Sequence, residues 1–426
     1  MRTDEIPFSD LLSDVIDNRG KTCPTADAGI PLIATNCIRN ELLYPAYEKV
    51  RFVSQHTYLT WFRGHPKPDD IIFVNKATPG RVCLVPNPVD FCIAQDMVAV
   101  RADPKKVTPK YLFAALRSPV VQERIAQMHV GTLIPHFKRG DFDKLLIPVP
   151  SRGDQDFIGA VYFNLSAKIE LNRCMNETLE AMARALFKSW FVDFDPVAAK
   201  VEGRDTGLPA EIADLFPDSF EESELGPVPA GWKVDSVYAA AEVIYGAPFA
   251  SAKFRTDGIG RLLVRIRDLA NENPGIFTDE EHPKGYLVKP GDIIVGMDGE
   301  FRAHVWGGVE GWLNQRVCVF KPRPGYARSF VLHSIIRPLA EVEATETATT
   351  VIHLGKNDID RFKIVMPDAA VLSTFNDLSE SLLQGIVVNK RESRMLAALR
   401  DALLPKLISG EIRVGKASQS VRDLGA

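Results

Sequence analysis

The chain has 426 residues, 46% of them hydrophobic and 25% charged, with a formal net charge of −4. These globular values exclude a disordered chain, and no apolar run approaches the ~20 residues of a membrane-spanning helix. Six scattered cysteines (Cys23, Cys37, Cys83, Cys92, Cys174, Cys318) without a CxxC pair argue against a disulfide framework or zinc site. MRTDEIPFSD lacks a signal pattern, so a reduced, cytoplasmic protein is expected.

In chain order, residues 1–150 read as a mixed α/β domain. Strand-like runs are Pro31–Ile38, Asp70–Asn75, Arg81–Val85 and Met97–Arg101. A helix from Pro109 to Met128 should kink or restart at Pro119. A long helix begins near Ser151 or Asp154, either a good N-cap, and occupies 151–192. Residues 193–231 carry ten acids and two bases, and are rich in Pro and Gly. They read as a linker with little core of its own. Without that net −8, the rest of the chain is about +4 (−4 minus −8), a mild basic bias that permits nucleic-acid binding. A second mixed α/β segment spans 232–367, with Gly291–Val295 mirroring Asp70–Val74, Gln315–Phe320 mirroring the region after Gln95, and Phe330–Leu339 in the helical slot. A second long helix fills 368–410, with Pro405 expected to distort its last turn and Gly410 to end it. A tail, 411–426, follows.

The chain repeats itself. Residues 132–191 align with 349–408 at an offset of 217 without a gap, with 13 identities in 60 positions. Ordinary composition would give roughly 3–4. Thr132/Thr349, His136/His353, Asp141/Asp358, Asn172/Asn389 and Leu186/Leu403 are among the matched pairs. Upstream the offset drifts to about 222, so the loops differ in length. A period this long indicates a duplicated module, not a solenoid.

Each copy ends in a helix of roughly 38 residues, about 55–60 Å long at 1.5 Å per residue. Leu165, Ile169, Asn172, Leu179, Met182, Leu186 and Trp190 step by threes and fours. Their mates are Leu382, Ile386, Asn389, Leu396, Leu399, Leu403 and Leu407. This seam predicts that the two helices pack antiparallel as a coiled coil, with Asn172 and Asn389 fixing the register. The expected fold is α+β: two mixed α/β domains separated by two long antiparallel helices, with a pseudo-two-fold internal repeat.

These residues resemble the specificity subunits of Type I restriction–modification systems along nearly the whole chain. Leu171–Val197 resembles that family's central conserved region, Asn389–Val414 its distal one, and Glu224–Val234 the lead-in to its second target recognition domain. Asn18–Pro24 with Phe91–Ala99 resembles one type of first domain. Gly246–Phe254, Arg265–Leu269, Gly296–Phe301 and Leu313–Cys318 resemble a type of second domain. The resemblance implies a non-catalytic subunit that reads a split, asymmetric site in double-stranded DNA. It implies two modification subunits that use S-adenosylmethionine to methylate adenines, two motor–nuclease restriction subunits, no cofactor on this chain, and no membrane. A rod of ~55 Å spans at most ~16 bp, and heads on one side of the duplex favour ~10 bp. The alternatives are a degenerate scaffold without DNA readout and a stand-alone DNA-modifying enzyme.

Enzymatic motifs fail on inspection. Gly20-Lys21-Thr22 lacks the earlier glycine of a phosphate loop, since Val15 stands there. Gly258 and Gly260 lack the third glycine of a dinucleotide loop. Asn87-Pro88-Val89 departs from an amino-methyltransferase tetrapeptide, and Pro68-Asp69-Asp70 reads as a turn before a strand. His136 and His353 have no metal-ligand neighbours and suit loop packing better than DNA contact.

The candidates for DNA contact are Arg19 and Lys21 in a polar loop, and Lys138 and Arg139 in a domain-closing loop whose counterpart holds Lys356 and Arg361. Arg265 and Arg267 are expected to alternate along a strand and share a face. Asn314, Gln315 and Arg316 form a run suited to bidentate contacts with adenine or guanine. A solvated or salt-bridged surface role is the alternative for each. Phe187, Trp190 and Phe191 crowd the end of the first helix and suit either a dock for a modification subunit or core packing.

Overall fold

A computed structural model describes residues 3–18, 21–128, 135–345 and 352–412. The repeat pair Thr132/Thr349 lies outside the described residues. The chain divides into two compact units, one formed by 1–171 with 393–426 and the other by 172–392.

Unit 1 contains β1 (Asp4–Pro7), β2 (Leu12–Asp17), β3 (Ile30–Ile33), β4 (Arg51–Val53), α1 (Gln55–Thr60), β5 (Ile71–Val74), β6 (Val82–Leu84), β7 (Cys92–Ile93) and β8 (Met97–Ala102). Then come α2 (Pro109–Arg117), α3 (Pro119–Met128), β9 (Leu146–Val149) and the first part of α4 (Arg152–Phe191). The main sheet has the order β2-β8-β5-β6 and is antiparallel throughout. Every residue of β5 is buried, because each sheet face has its own core. Ile71 and Phe73 face α2 through a cluster that includes Tyr111 and Ile158. Ile72 and Val74 face the opposite way, toward Ile33 and Phe91. Strand alternation thus distributes one apolar run between two cores. A smaller sheet, β4-β3-β7, lies on that second side, and β1 pairs with β9. The helix restarts at Pro119, as expected, with Ser118 extended between α2 and α3. The expected strand Pro31–Ile38 is shorter: β3 ends at Ile33 and a 3-10 turn occupies Thr35–Cys37.

Unit 2 includes the rest of α4, then α5 (Asp195–Val201), α6 (Ala210–Ala213), β10 (Phe220–Ser223), β11 (Gly226–Pro229), β12 (Lys233–Ser236), β13 (Ala241–Tyr245), β14 (Arg261–Val264), β15 (Phe277–Thr278) and β16 (Leu287–Val288). It continues with β17 (Ile293–Gly296), β18 (Ala303–Val305), β19 (Gly311–Leu313), β20 (Val317–Pro322), α7 (Arg328–Thr345), α8 (Lys356–Ile359), β21 (Lys363–Met366) and the first part of α9 (Ala369–Ile408). Its sheets reproduce those of unit 1: β13-β20-β17-β18, a second sheet β15-β14-β19-β16, and the pair β12-β21. Even the single parallel pairing recurs, β3 with β7 and β14 with β19. Again alternate residues serve two cores, Ile293 and Val295 on one face, Ile294 on the other.

The turn before the central strand is repeated atom for atom. Lys67 N donates to Asp70 Oδ2 and Lys289 N to Asp292 Oδ2, both at 2.8 Å. Asp292, rather than Gly291, is therefore the counterpart of Asp70. Asp70 is buried and grips Arg101 through Nε and Nη2, each at 2.8 Å. It is a structural carboxylate.

Two expectations are corrected here. The segment 193–231 is not a linker without a core. Val197 and Phe216 are buried together with Trp190, Phe191 and Trp232, and Val228 is buried too, while all ten acids avoid burial. Its apolar residues follow no helical or strand period, so no pattern announced them. The seam is also shifted at one step in both copies. Met182 and Leu399 are exposed, 52% and 49%, and the buried positions are their neighbours Ala183 and Arg400. The i+3 step from Leu179 continues by four, which a heptad reading missed.

Of the other seam positions, Asn172 and Ile386 are buried, and Leu165, Ile169, Leu179, Leu186, Leu382, Asn389, Leu396 and Leu403 are half-buried. Within unit 2 the helices run antiparallel, since Asn172 meets Glu392 while Phe187 meets Phe375. Within unit 1, Arg400 reaches Ser166 Oγ at 3.3 Å and lies over the Tyr162 ring. Ser151 caps α4 by accepting from Asp154 N, and Gly410, in the left-handed region at φ 76°, follows α9, which runs through Pro405 to Ile408.

Candidate nucleic-acid interface

In unit 1 the pairing registers bring Asp17, Val74, Val82 and Met97 to one end of the main sheet. The loops leaving that end meet. Lys76 N donates to Asp96 O at 3.2 Å, Ala77 N to Pro135 O at 3.0 Å and Thr22 Oγ1 to Gln95 Oε1 at 3.3 Å. Lys76 and His136 face each other in an isolated antiparallel bridge. Lys21 and Lys138 are exposed on these loops, and Arg139 pairs with Asp17 at 3.1 Å. Three of the predicted contacts are thus brought together. Arg19 lies outside the described residues.

The same end of the unit 2 sheet gathers Asn314, Gln315, Arg316 and His353, and Lys356 opens α8 three residues after His353. Gln315 N donates to Ala247 O at 2.9 Å, and Met297 N to Arg316 O at 2.9 Å. Gly246 sits so close to the Asn314 carbonyl that a Cβ would stand 1.9 Å from its oxygen, so only glycine fits there. Gln315 and Arg316 are exposed, whereas Asn314 is 8% exposed and belongs to the scaffold of the turn. His353 Nδ1 lies 2.7 Å from Asp298 Oδ1, and Arg316 Nη1 lies 3.1 Å from the same ring nitrogen. With Nδ1–H given to Asp298, that nitrogen cannot accept from Arg316, so the guanidinium is held by the Asp298 carboxylate, 3.7 Å away.

Arg265 and Arg267 do not alternate along a strand. β14 ends at Val264, and Ile266–Asp268 is a 3-10 turn. Arg265 closes that turn on buried Asp268 at 3.0 Å, while Arg267 is exposed. The turn arises because the Asp268 carboxylate also accepts from Arg265 N, at 3.0 Å, which ends the extended run. Arg361 pairs locally with Asp358, as its repeat mate Lys144 pairs with Asp141. Lys356 donates to Asp360 at 2.9 Å, and that hydrogen bond holds the Asp360 carboxyl below its ordinary range.

Phe187, Trp190 and Phe191 are not a docking face. They are 8%, 1% and 4% exposed, with Trp190 edge-on to Phe216 at 5.0 Å and Phe191 edge-on to Phe375 at 4.9 Å. The rings fill the unit 2 core because the segment after α4 folds back over them.

Lys76, Asp96 and Asp298 were missed from sequence. The available signal was a charged residue two positions beyond a fully apolar strand, at both Lys76 and Asp298.

A family model described as "Type I restriction modification DNA specificity domain" matches residues 18–181. The Type I restriction enzyme HindI specificity subunit of Haemophilus influenzae is 25% identical over 403 residues, covering 81% of this chain and 87% of its own. Residues 18–181 thus match the Type I specificity domain, and the chain as a whole is similar to Type I specificity subunits. The MjaIX specificity subunit of Methanocaldococcus jannaschii is 27% identical over 354 residues, covering 81% of this chain and 78% of its own. The crystal structure of the Type I S subunit from M. genitalium has the same fold, with a TM-score of 0.50 over 96% of both chains at 15% identity. Each unit of this chain presents a loop cluster at the equivalent end of its own four-stranded sheet. Among the described residues no group of three or more His, Cys, Asp or Glu is placed to hold a metal ion. Among the described residues no helix is long and apolar enough to cross a membrane.

Proposed function

We propose that this chain is the DNA-reading subunit of a Type I restriction–modification complex, non-catalytic itself, and that it directs an adenine methyltransferase and a restriction subunit to a bipartite, asymmetric site. The observation that carries the reading is the pair of equivalent loop clusters, one per unit, with different residues on the same strand order. Different loops on one scaffold read different half-sites. Lys21, Lys138 and Arg139 supply cationic contacts in the first head, and Arg316, Arg267 and Lys356 in the second, with Gln315 a neutral donor and acceptor beside them. Phosphate contacts fix position and base edges set the sequence. The complex holds two modification and two restriction subunits, the modification subunits bind the S-adenosylmethionine, and the assembly works in the cytoplasm.

Base-resolution methylation mapping tests this. Cells expressing the chain with its modification subunit should gain a split motif of methylated adenines that cells lacking the chain do not show. A stable complex of the two proteins that adds no methylation would instead identify a scaffold without readout.

A further inference from the structure

The two heads carry, at the same place, an ion pair with its charges exchanged. In unit 1, Lys76 stands two residues beyond β5 and Asp96 immediately before β8, with Nζ 3.9 Å from Oδ1. In unit 2, Asp298 stands two residues beyond β17 and Arg316 immediately before β20, with Nη1 3.7 Å from Oδ1. Asp96 and Arg316 share the left-handed backbone, at φ 74° and 72°. Lys76 and Asp298 each form an isolated bridge with a repeat-matched histidine, His136 and His353. The backbone of this corner is retained while its charges are reversed.

Stability does not explain why a pair is kept there. Exposed ion pairs contribute about 0–1 kcal/mol, and a left-handed non-glycine residue opposes that gain. In both heads the cation is the more exposed partner: Lys76 42% against Asp96 38%, and Arg316 55% against Asp298 32%. A cation presented outward and held from behind by a carboxylate suits a ligand edge rich in acceptors. Guanine offers O6 and N7 in the major groove.

We propose that this exchanged pair is the base-reading element of each head, with Arg316 and Lys76 donating to a guanine edge and Asp298 and Asp96 acting as positioning residues. The inference rests on the DNA-reading function above. Because the cation springs from the turn in one head and from the strand end in the other, the guanine falls at a different place within each half-site. Arg316 offers a planar fork that fits O6 and N7 together, whereas Lys76 is a point charge. Discrimination is sharper in the half-site read by unit 2.

The test is methylation mapping with the full chain and its modification subunit. Arg316→Lys and Asp298→Asn preserve size, and each should lower discrimination about tenfold at the same single base of one half-site. Asp298→Glu keeps the carboxylate and should retain that base. Lys76→Met should relax one base of the other half-site only. A wild-type motif that survives unchanged in all these variants would overturn the inference while leaving the function standing. So would a uniform fall in methylation without loss of base preference, the signature of a phosphate contact. Absence of any motif with the unaltered chain would overturn the function and the inference together.

Discussion

Asn172 and Asn389 occupy equivalent places in the repeat and meet across the helix pair, Nδ2 of the first lying 3.5 Å from the carbonyl of the second. Asn172 also donates to Glu392 Oε2 at 2.7 Å, and Asn389 Nδ2 donates to Asn176 Oδ1 at 3.0 Å. Two polar residues that interrupt two apolar seams therefore answer each other. A sliding of one helix by a turn would strand these groups, so they define one register.

Replacing Asn172 by Ala leaves Glu392 without this donor in a half-buried seam. A loss of about 1–3 kcal/mol is expected. Urea unfolding checks this, with Leu171→Ala on the exposed side of the same helix as a control within about 0.5 kcal/mol of the parent.

Trp190→Ala should cost about 3–5 kcal/mol and lower the yield of folded protein, because it empties the centre of an aromatic cluster. Met182→Ala, on the exposed side of the same helix, should change stability by no more than about 0.5 kcal/mol. Thermal melting of the two variants separates the core positions from the surface ones.

His333 is half-buried against Phe187, and desolvation there lowers its pKa from the ordinary 6.5. Its Nδ1 donates to the Ser329 carbonyl at 2.8 Å, and nearby Arg184 also disfavours a second charge. With the folded pKa below the unfolded one, its stability contribution is present above pH 6.5 and is lost as pH falls through the folded value. Urea midpoints should therefore drop between pH 7.5 and pH 5.5, and His333→Phe should make that drop smaller. Burial lowers the His304 pKa in the same way, so a residual slope remains in the variant.

Of the six cysteines only Cys174 is exposed, and none is in a disulfide. Burial pushes Cys92 and Cys318 up to about 12 and raises Cys83 further. Brief treatment of the native protein with a maleimide should label Cys174 alone, as peptide mass mapping would show. Rapid labelling of Cys83 or Cys318 would contradict the buried strands that carry them.

The long helices were legible because a buried stripe at threes and fours, capping Ser151 and terminal Gly410 are local signals. The central strands were legible for a similar reason: four consecutive apolar residues in β5 and β17 reflect a sheet covered on both faces. The seam error at Met182 and Leu399 shows the limit of periodicity. Choosing between adjacent residues depends on which one meets the partner helix. Arg265 and Arg267 failed differently, because Asp268 ends the strand by capping its own turn.

The sequence by itself determined that the chain is a duplication, where its long helices run, and which family it resembles. Those features are written in order and spacing. Tertiary structure alone decided that the acidic segment helps to build a core and that Trp190 is buried within it. It also decided that Lys76 faces Asp96 and Asp298 faces Arg316. Such pairs lie about twenty residues apart in the chain and carry no periodic mark. They become neighbours only when antiparallel strands bring their loops to one end of a sheet.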